Sequence, residues 1–255
     1  MIGGVARGEA GRIGVISDIH GNADALAAVL ADMDAQGIDR IVNLGDHLSG
    51  PLAPVETLDL LRARPGMICI RGNHDRWLLE RAPDEMGPSD RVTFDQLGPA
   101  DLDWLRALPA TVRLGDVLLC HATPADDLTY WLHQVTPEGA VLRRPQAGVA
   151  ALLGNEAAPL ILCGHTHLPR AVRLGGVLIV NPGSVGLPGY EAGMPVPHVI
   201  ETGLPDASYA TVEHGPAGWR VSFRQVPYDP ARMAAMARRH GQEDWARALE
   251  TGWLG

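Results

Sequence analysis

One pattern recurs along the chain: an apolar run of strand length, a polar cluster, then residues spaced for a helix. Ile13-Gly14-Val15-Ile16-Ser17 is the first run and gives way to Asp18-Ile19-His20-Gly21-Asn22, a buried strand entering a loop. Asn22 is a good helix N-cap, Leu26, Val29, Leu30 and Met33 fall at i, i+3, i+4 and i+7, and Gly37 is a natural stop. Residues 40–44 repeat the strand and end at Gly45-Asp46, with a helix expected over 54–62. Residues 67–70 form a third strand, end at Gly72-Asn73-His74-Asp75, and lead into helical residues near 77–81. Two strand–helix–strand units predict parallel pairing with helices on the sheet faces. That arrangement brings the polar strand ends to one crevice.

Further along, residues 82–98 read as a loop and 99–108 as a short helix. Strands over 111–114 and 117–120 flank Gly115-Asp116, and the second ends at His121. The stretch 122–147, with Pro124, Pro137 and Pro145, is irregular and suits a lid inserted over the strand ends. A strand at 160–163 terminates in Gly164-His165-Thr166-His167, and a hairpin on Gly175-Gly176 joins 171–174 to 177–180 before Asn181-Pro182-Gly183-Ser184. Residues 188–205, rich in Gly and Pro, read as a surface connection, 209–213 and 219–225 as an antiparallel pair, and 230–249 as one closing helix. No repeat or second-domain boundary is visible, so a single domain over 1–255 is expected.

Composition narrows the classes. The chain has 255 residues, 46% hydrophobic and 20% charged, which suits an ordinary globular core. No apolar run approaches the roughly 18 residues of a membrane span. Residues 1–9 lack a charged head followed by a hydrophobic stretch, so no secretory leader and a cytoplasmic home are expected. Net charge is -9, and Lys and Arg cluster only in pairs such as Arg143-Arg144. An extended nucleic-acid surface is therefore not expected, although a small phosphate ester remains a plausible partner. Cys69, Cys120 and Cys163 have no CxxC spacing and sit inside apolar runs, as small buried hydrophobes do.

The chemistry gathers at five strand ends: Asp18-x-His20, Gly45-Asp46, Gly72-Asn73-His74-Asp75, His121 and Gly164-His165-x-His167. In extended chain, i and i+2 share a side, so Asp18 with His20, and His165 with His167, are each expected to aim at one place. Carboxylate, amide oxygen and imidazole without thiolate suit manganese, iron, zinc, nickel or cobalt better than magnesium or calcium. Seven donors suit two ions roughly 3.5–4 Å apart sharing one carboxylate. Ser184 lies outside any nucleophile-elbow motif and reads as part of a supporting Pro-Gly turn. His133, His198, His214 and His240 fall outside the blocks and read as surface or lid residues. A barrel amidohydrolase is disfavoured, because there the His-x-His comes first in the chain.

The ordered blocks over residues 13–184 resemble the calcineurin-like metallophosphoesterase superfamily, and the segment after Gly45-Asp46 is similar to its small bacterial and archaeal phosphodiesterase-like members. The resemblance implies an α/β fold of two facing mixed sheets flanked by helices, a four-layer αββα sandwich. It also implies two divalent transition ions, manganese foremost: Asp18, His20, Asp46 and His167 on one, and Asp46, Asn73, His121 and His165 on the other, with Asp46 bridging. The implied activity is phosphate-ester hydrolysis, a phosphodiesterase first, by in-line attack of a metal-bridging hydroxide with His74 as general acid. The alternatives are a phosphomonoesterase or nucleotidase on the same site, or a non-catalytic metal-binding scaffold. Asp75 is a candidate either to orient His74 or to cap the following helix, and His47 and Arg170 are candidates for substrate contact. Two departures stand out. The Asp-Arg-Gly extension of protein Ser/Thr phosphatases is absent, which argues against a phosphoprotein substrate, and Ala122 follows His121 where many relatives have Gly.

Overall fold

The computed structural model describes residues 11–255; the expectation of no secretory leader concerns residues outside that span. In chain order the elements begin with β1 (Ile13–Ile16), α1 (Ala23–Ala35), β2 (Arg40–Asn43), α2 (Pro54–Arg62), β3 (Ile68–Cys69) and α3 (Asn73–Glu80). Next come α4 (Pro88–Phe94), α5 (Pro99–Ala107), β4 (Val112–Leu114), β5 (Val117–Leu119), β6 (His133–Val135), β7 (Val141–Arg143), α6 (Gln146–Leu153) and β8 (Leu160–Leu162). The chain closes with β9 (Arg170–Leu174), β10 (Val177–Asn181), β11 (Gly189–Ala192), β12 (His198–Glu201), β13 (Ala207–Gly215), β14 (Gly218–Val226), α7 (Ala231–Arg239) and α8 (Glu243–Thr251). Asn22 caps α1 as its sequence suggests, its side chain accepting from the Ala25 N–H at 3.0 Å.

Two five-stranded mixed sheets result, in the orders β14-β13-β1-β2-β3 and β4-β5-β8-β10-β9. The parallel pairs are β1–β2, β2–β3, β5–β8 and β8–β10. The sheets face each other: Val15, Val42, Leu44 and Ile70 of the first share one core with Leu119, Leu162 and Val180 of the second. The outer face of the first sheet is covered by α1, with Leu26, Val29 and Met33 against Ile16, Ile41 and Tyr209. Trp131 and Val149 of α6 cover the other outer face at Leu118, Ile161 and Ile179. Each of these fully buried side chains contributes about 1.5–3 kcal/mol, which fixes the register that brings the strand ends together. The expected αββα layering is present.

Four expectations change. Residues 82–98 contain a helix, α4, started by Pro88 at its first turn. The stretch 122–147 is not irregular throughout, because β6 and β7 pair as a hairpin around Gly139, whose φ is 86°, and α6 begins at its end. Within 188–205, β11 and β12 pair as a second hairpin. The closing helix is two helices, broken at Gly241, where φ is 70°. His133 and His198, expected at the surface or in a lid, are buried in these hairpins, while His214 and His240 are exposed.

Candidate metal centre

The loops that leave β1, β2, β5 and β8, together with the start of α3, meet at one end of the two sheets. Backbone bonds lace them: Asp18 N–H donates to Gly45 O and His20 N–H to Asp46 O, both at 3.0 Å, and Gly164 N–H donates to His121 O at 2.7 Å. Ser184 supports the turn from beneath, donating to Asp18 O at 2.7 Å and accepting from Leu187 N–H at 2.8 Å.

Among the described residues, the non-glycine positions with positive φ are Asp18 (55°), His20 (53°), Asp46 (54°), His165 (69°) and His167 (58°). A left-handed non-glycine residue costs about 1–2 kcal/mol, so five together spend the burial of several core side chains on aiming donors. This corrects the extended-chain expectation. Asp18 and His20 do point together, but His165 and His167 diverge into different groups. Two glycines leave the room required: a Cβ on Gly164 would lie 2.8 Å from Asp18 Oδ2, and one on Gly72 would lie 2.8 Å from Asp46 Cγ.

The donors form two groups that can each hold a metal ion: Asp18, His20 and His167, and Asp46, His121 and His165, the ligand atoms of each lying within 4.8 Å of one another. In the first, His20 Nε2 and His167 Nε2 face each other at 3.1 Å, and His167 Nε2 lies 3.5 Å from Asp18 Oδ1. In the second, His121 Nε2 lies 3.3 Å from Asp46 Oδ2 and 3.0 Å from Asn73 Oδ1. Asp46 Oδ2 is also 3.9 Å from His20 Nε2, which sets it between the groups.

The second nitrogen of each ring decides what these contacts mean. His20, His121 and His167 direct Nδ1 at the carbonyl oxygens of Ser49 (2.7 Å), Leu44 (2.8 Å) and Leu187 (2.7 Å), and His165 directs Nε2 at Leu128 O (2.8 Å). A carbonyl only accepts, so each of these nitrogens carries a proton and the opposite ring nitrogen is the one left to serve as a ligand. Four such nitrogens thus gather with two carboxylates, and Asp18 Oδ1 is buried and without a hydrogen-bond donor. Asn73 tells the same story: as placed, its Oδ1 faces acceptors, and turned over, its amide N sits 3.0 Å from both His165 Nδ1 and His121 Nε2. Acceptors packed against acceptors call for a cation, and imidazoles anchored through their far N–H are the usual way a protein presents metal ligands. The residues present therefore fit the implied ions.

Charge agrees with this. Burial pulls His20 and His165 down to about 4, keeping both neutral. Burial raises Asp18, but His167 and His121 more than offset it and hold its carboxyl at about 2. His121 is pushed up to about 10 because Asp46 and Asp18 outweigh its burial; the carboxylates demand a positive partner that a divalent cation supplies better than a proton.

His74 stands beside this centre, its ring 5.4 Å from that of His20. Its Nδ1 lies 2.7 Å from Asp90 Oδ1, and Ser49 Oγ donates to the same oxygen. Burial lowers the His74 pKa, but the charges of Asp46 and Asp90 override it and hold it above the ordinary value. Asp90 lies on α4, where only a loop was expected. The sequence signal was Gly87-Pro88 just ahead of an acidic residue, a helix start.

Asp75 does not orient His74. It accepts from the N–H groups of Asp46 (2.8 Å), His47 (3.0 Å) and Gly72 (2.9 Å), so of its two candidate roles it takes the cap, and it braces the Asp46 loop as well. The two candidates for substrate contact lie elsewhere. His47 is fully buried with its Nδ1 2.8 Å from Asp75 Oδ2, and Asp75 overrides the effect of burial to push its pKa to about 10. Arg170 donates to the backbone oxygens of Leu132 and Arg144, fastening the 122–147 segment to β9.

Above the centre opens a cavity of about 1120 Å³ that reaches His20, Asp46, Asn73, His74, His165 and His167. Its walls come from Trp77 on α3, Tyr130 and Arg144 of the 122–147 segment, Tyr190 on β11 and Trp245 on α8. Tyr130 Oη joins the walls, 2.7 Å from Tyr190 Oη and 3.0 Å from His198 Nε2. Among the described residues no helix is long and apolar enough to cross a membrane.

Comparison with known proteins agrees. The crystal structure of a metallophosphoesterase from Sphaerobacter thermophilus superimposes with a TM-score of 0.73 at 30% identity, covering 96% of this chain and 100% of that one. An uncharacterised protein of Methanocaldococcus jannaschii is 25% identical over 239 residues, 85% of this chain and 88% of its own length. A symmetrical bis(5'-nucleosyl)-tetraphosphatase of Neisseria meningitidis is 32% identical over 114 residues, covering 42% of this chain and 41% of its own. Residues 12–199 match the family description "Calcineurin-like phosphoesterase superfamily domain", and with nearly three quarters of its length inside that match the chain belongs to the calcineurin-like phosphoesterase superfamily.

Proposed function

We propose that this chain hydrolyses phosphate esters, phosphodiesters foremost, with two divalent transition ions held by Asp18, His20, Asp46, Asn73, His121, His165 and His167. The observation that carries the reading is the set of four imidazoles whose far N–H groups are bound to backbone carbonyls, leaving their other ring nitrogens gathered with two buried carboxylates. Bound there, divalent cations supply Lewis acidity to phosphoryl oxygens and lower the pKa of a coordinated water from about 15.7 toward about 7.

The protein groups do the rest. Hydrogen bonds fix which ring nitrogen of His20, His121, His165 and His167 faces the site, so the rings need not turn over on loading. His74 is the proton donor to the leaving oxygen: Asp90 fixes Nδ1 at 2.7 Å, which leaves Nε2 as the nitrogen for substrate. A positioned general acid is worth about 10²- to 10⁴-fold. The diester preference is supported by the cavity volume, about 1120 Å³, which leaves space for a second ester arm on phosphorus. The partial match to the tetraphosphatase supports phosphorus chemistry.

A chromogenic bis-aryl phosphate assayed with added Mn²⁺ tests the proposal. Turnover is expected, lost with chelator and lost in Asp46→Ala and Asn73→Ala. No turnover on a broad phosphate-ester panel, with two metal ions bound per chain, would leave a scaffold instead.

A further inference from the structure

Most arginines of this acidic chain meet carboxylates: Arg76 pairs with Asp127, Arg224 with Asp32, and Arg232 with Asp24 and Glu56. Arg81 and Arg144, which both line the cavity, have no carboxylate partner among the described residues. They differ in how they are held. The Arg81 guanidinium lies over the Trp77 ring, 3.9 Å from its centroid, with no hydrogen bond fixing its direction. Arg144 is pinned: Nε donates to Trp131 O at 3.1 Å and Nη2 to Tyr130 O at 2.9 Å, which leaves Nη1 without a partner.

Space is reserved for this side chain. Inside α6, a Cβ on Gly148 would come within 2.9 Å of Arg144 Cγ, 3.1 Å of Cδ and 3.8 Å of Nη1, so the glycine keeps that edge of the guanidinium uncrowded as well. A glycine within a helix costs about 1 kcal/mol relative to alanine, so the helix gives up stability where the arginine stem passes. A fixed guanidinium with a free edge, partly desolvated and lacking a counter-charge, is a preorganised anion receptor. The carboxylates that share the cavity wall, Glu191 and Asp244, do not reach it; Asp244 lies 4.0 Å from Arg247 instead.

We propose that Arg144 forms a second anion subsite, so that the preferred ester carries on its non-reacting arm a further phosphate or carboxylate, which Nη1 receives while the reacting phosphate occupies the metal centre. This rests on the reading of the cavity as a phosphoester site.

Calorimetry on the Mn²⁺-loaded full chain with non-hydrolysable ligands tests it. Straight-chain alkylphosphonates of four to eight carbons are compared with the α,ω-bisphosphonates and the ω-carboxyalkylphosphonates of equal length. At one spacer length the second anion is expected to tighten binding about 10- to 100-fold, and the better of the two anion series identifies the group preferred. Arg144→Gln should abolish that gain, Arg144→Lys should reduce it, and Arg81→Gln should keep it. No gain at any spacer length in the unaltered chain overturns the proposal whether or not the Arg144 variants fold. A gain that survives in a folded Arg144→Gln, or that is lost in Arg81→Gln instead, overturns it too. A spacer-dependent gain in a chain that turns over no ester leaves the subsite standing and removes the hydrolase reading.

Discussion

The floor of the cavity and its walls are built on different principles. The floor is laced backbone to backbone, holds five left-handed residues, and buries its carboxylates and all its ligand rings but that of His165, which is half-buried. The walls are hairpins and helix ends that meet through side chains, as in the Tyr130–Tyr190 hydroxyl contact at 2.7 Å, and they leave Met194 78% exposed at one tip. A floor so over-determined tolerates little displacement, and under the proposed function it would carry chemistry common to many esters. The walls can vary without disturbing it, which makes them the place where one ester is chosen over another.

The sharpest way to break this contrast is one methyl group added to a glycine in each region. Gly164→Ala puts a Cβ 2.8 Å from Asp18 Oδ2 and closer still to Ser17 Oγ, whereas Gly193, at the tip of the β11–β12 hairpin, has nothing within 4 Å. Gly164→Ala should lose metal stoichiometry and activity by about 10³-fold or more, since several kcal/mol of charge stabilisation goes with the ions, and overpacking should cost about 1–3 kcal/mol of stability. Gly193→Ala should stay within about 0.5 kcal/mol of the unaltered chain. Elemental analysis and thermal melts read both. Equal effects in the two variants would sink the distinction.

Asp90 offers an intermediate test, because it sits on α4, whose Ser89 lines the cavity, yet reaches the floor through His74. His74→Asn should cost about 10²- to 10⁴-fold in kcat. Asp90→Asn, which leaves the imidazole but loosens it, should cost about 10- to 100-fold. Both losses should shrink as the leaving group improves, since a good leaving group needs no proton. A loss in Asp90→Asn that is the same for aryl and alkyl esters would mean that Asp90 merely props up α4.

The same contrast explains what could be read from the chain. The floor was legible because every donor sits just past a strand whose apolar run marks it, and strand ends in such folds share a crevice. That His165 and His167 part company was not legible, because it depends on left-handed turns held by contacts from other strands. Asp90 was hidden by distance: it lies in a Pro- and Gly-rich stretch and meets His74 only through the packing of α4. The two hairpins were missed because their strands are short and draw support from each other and from α8 rather than from the main sheets. Gly139 and Gly241 were visible signals for a turn and a helix break, and the second alone would have divided the closing helix.

The gentlest test concerns acid. His133, on β6 of the wall, is 7% exposed, and burial, reinforced by Arg170 and Arg143, holds its pKa at about 4. In the unfolded chain the same ring titrates at 6.5, so below that pH the unfolded state takes up a proton that the folded state refuses. Folding stability must then fall as pH drops from 6.5 toward 4, and the contribution is complete above 6.5. A neutral glutamine at this position has no proton to take, so His133→Gln should melt less differently at pH 7.5 and pH 5 than the unaltered chain does. With chelator present throughout, the floor histidines titrate alike in both proteins and cancel in the comparison. Since Thr166, 3.5 Å from His133 Nδ1, sits between the two floor histidines that follow β8, an equal acid shift in the two proteins would mean that the floor gives way before the wall, which is the reverse of what their construction implies.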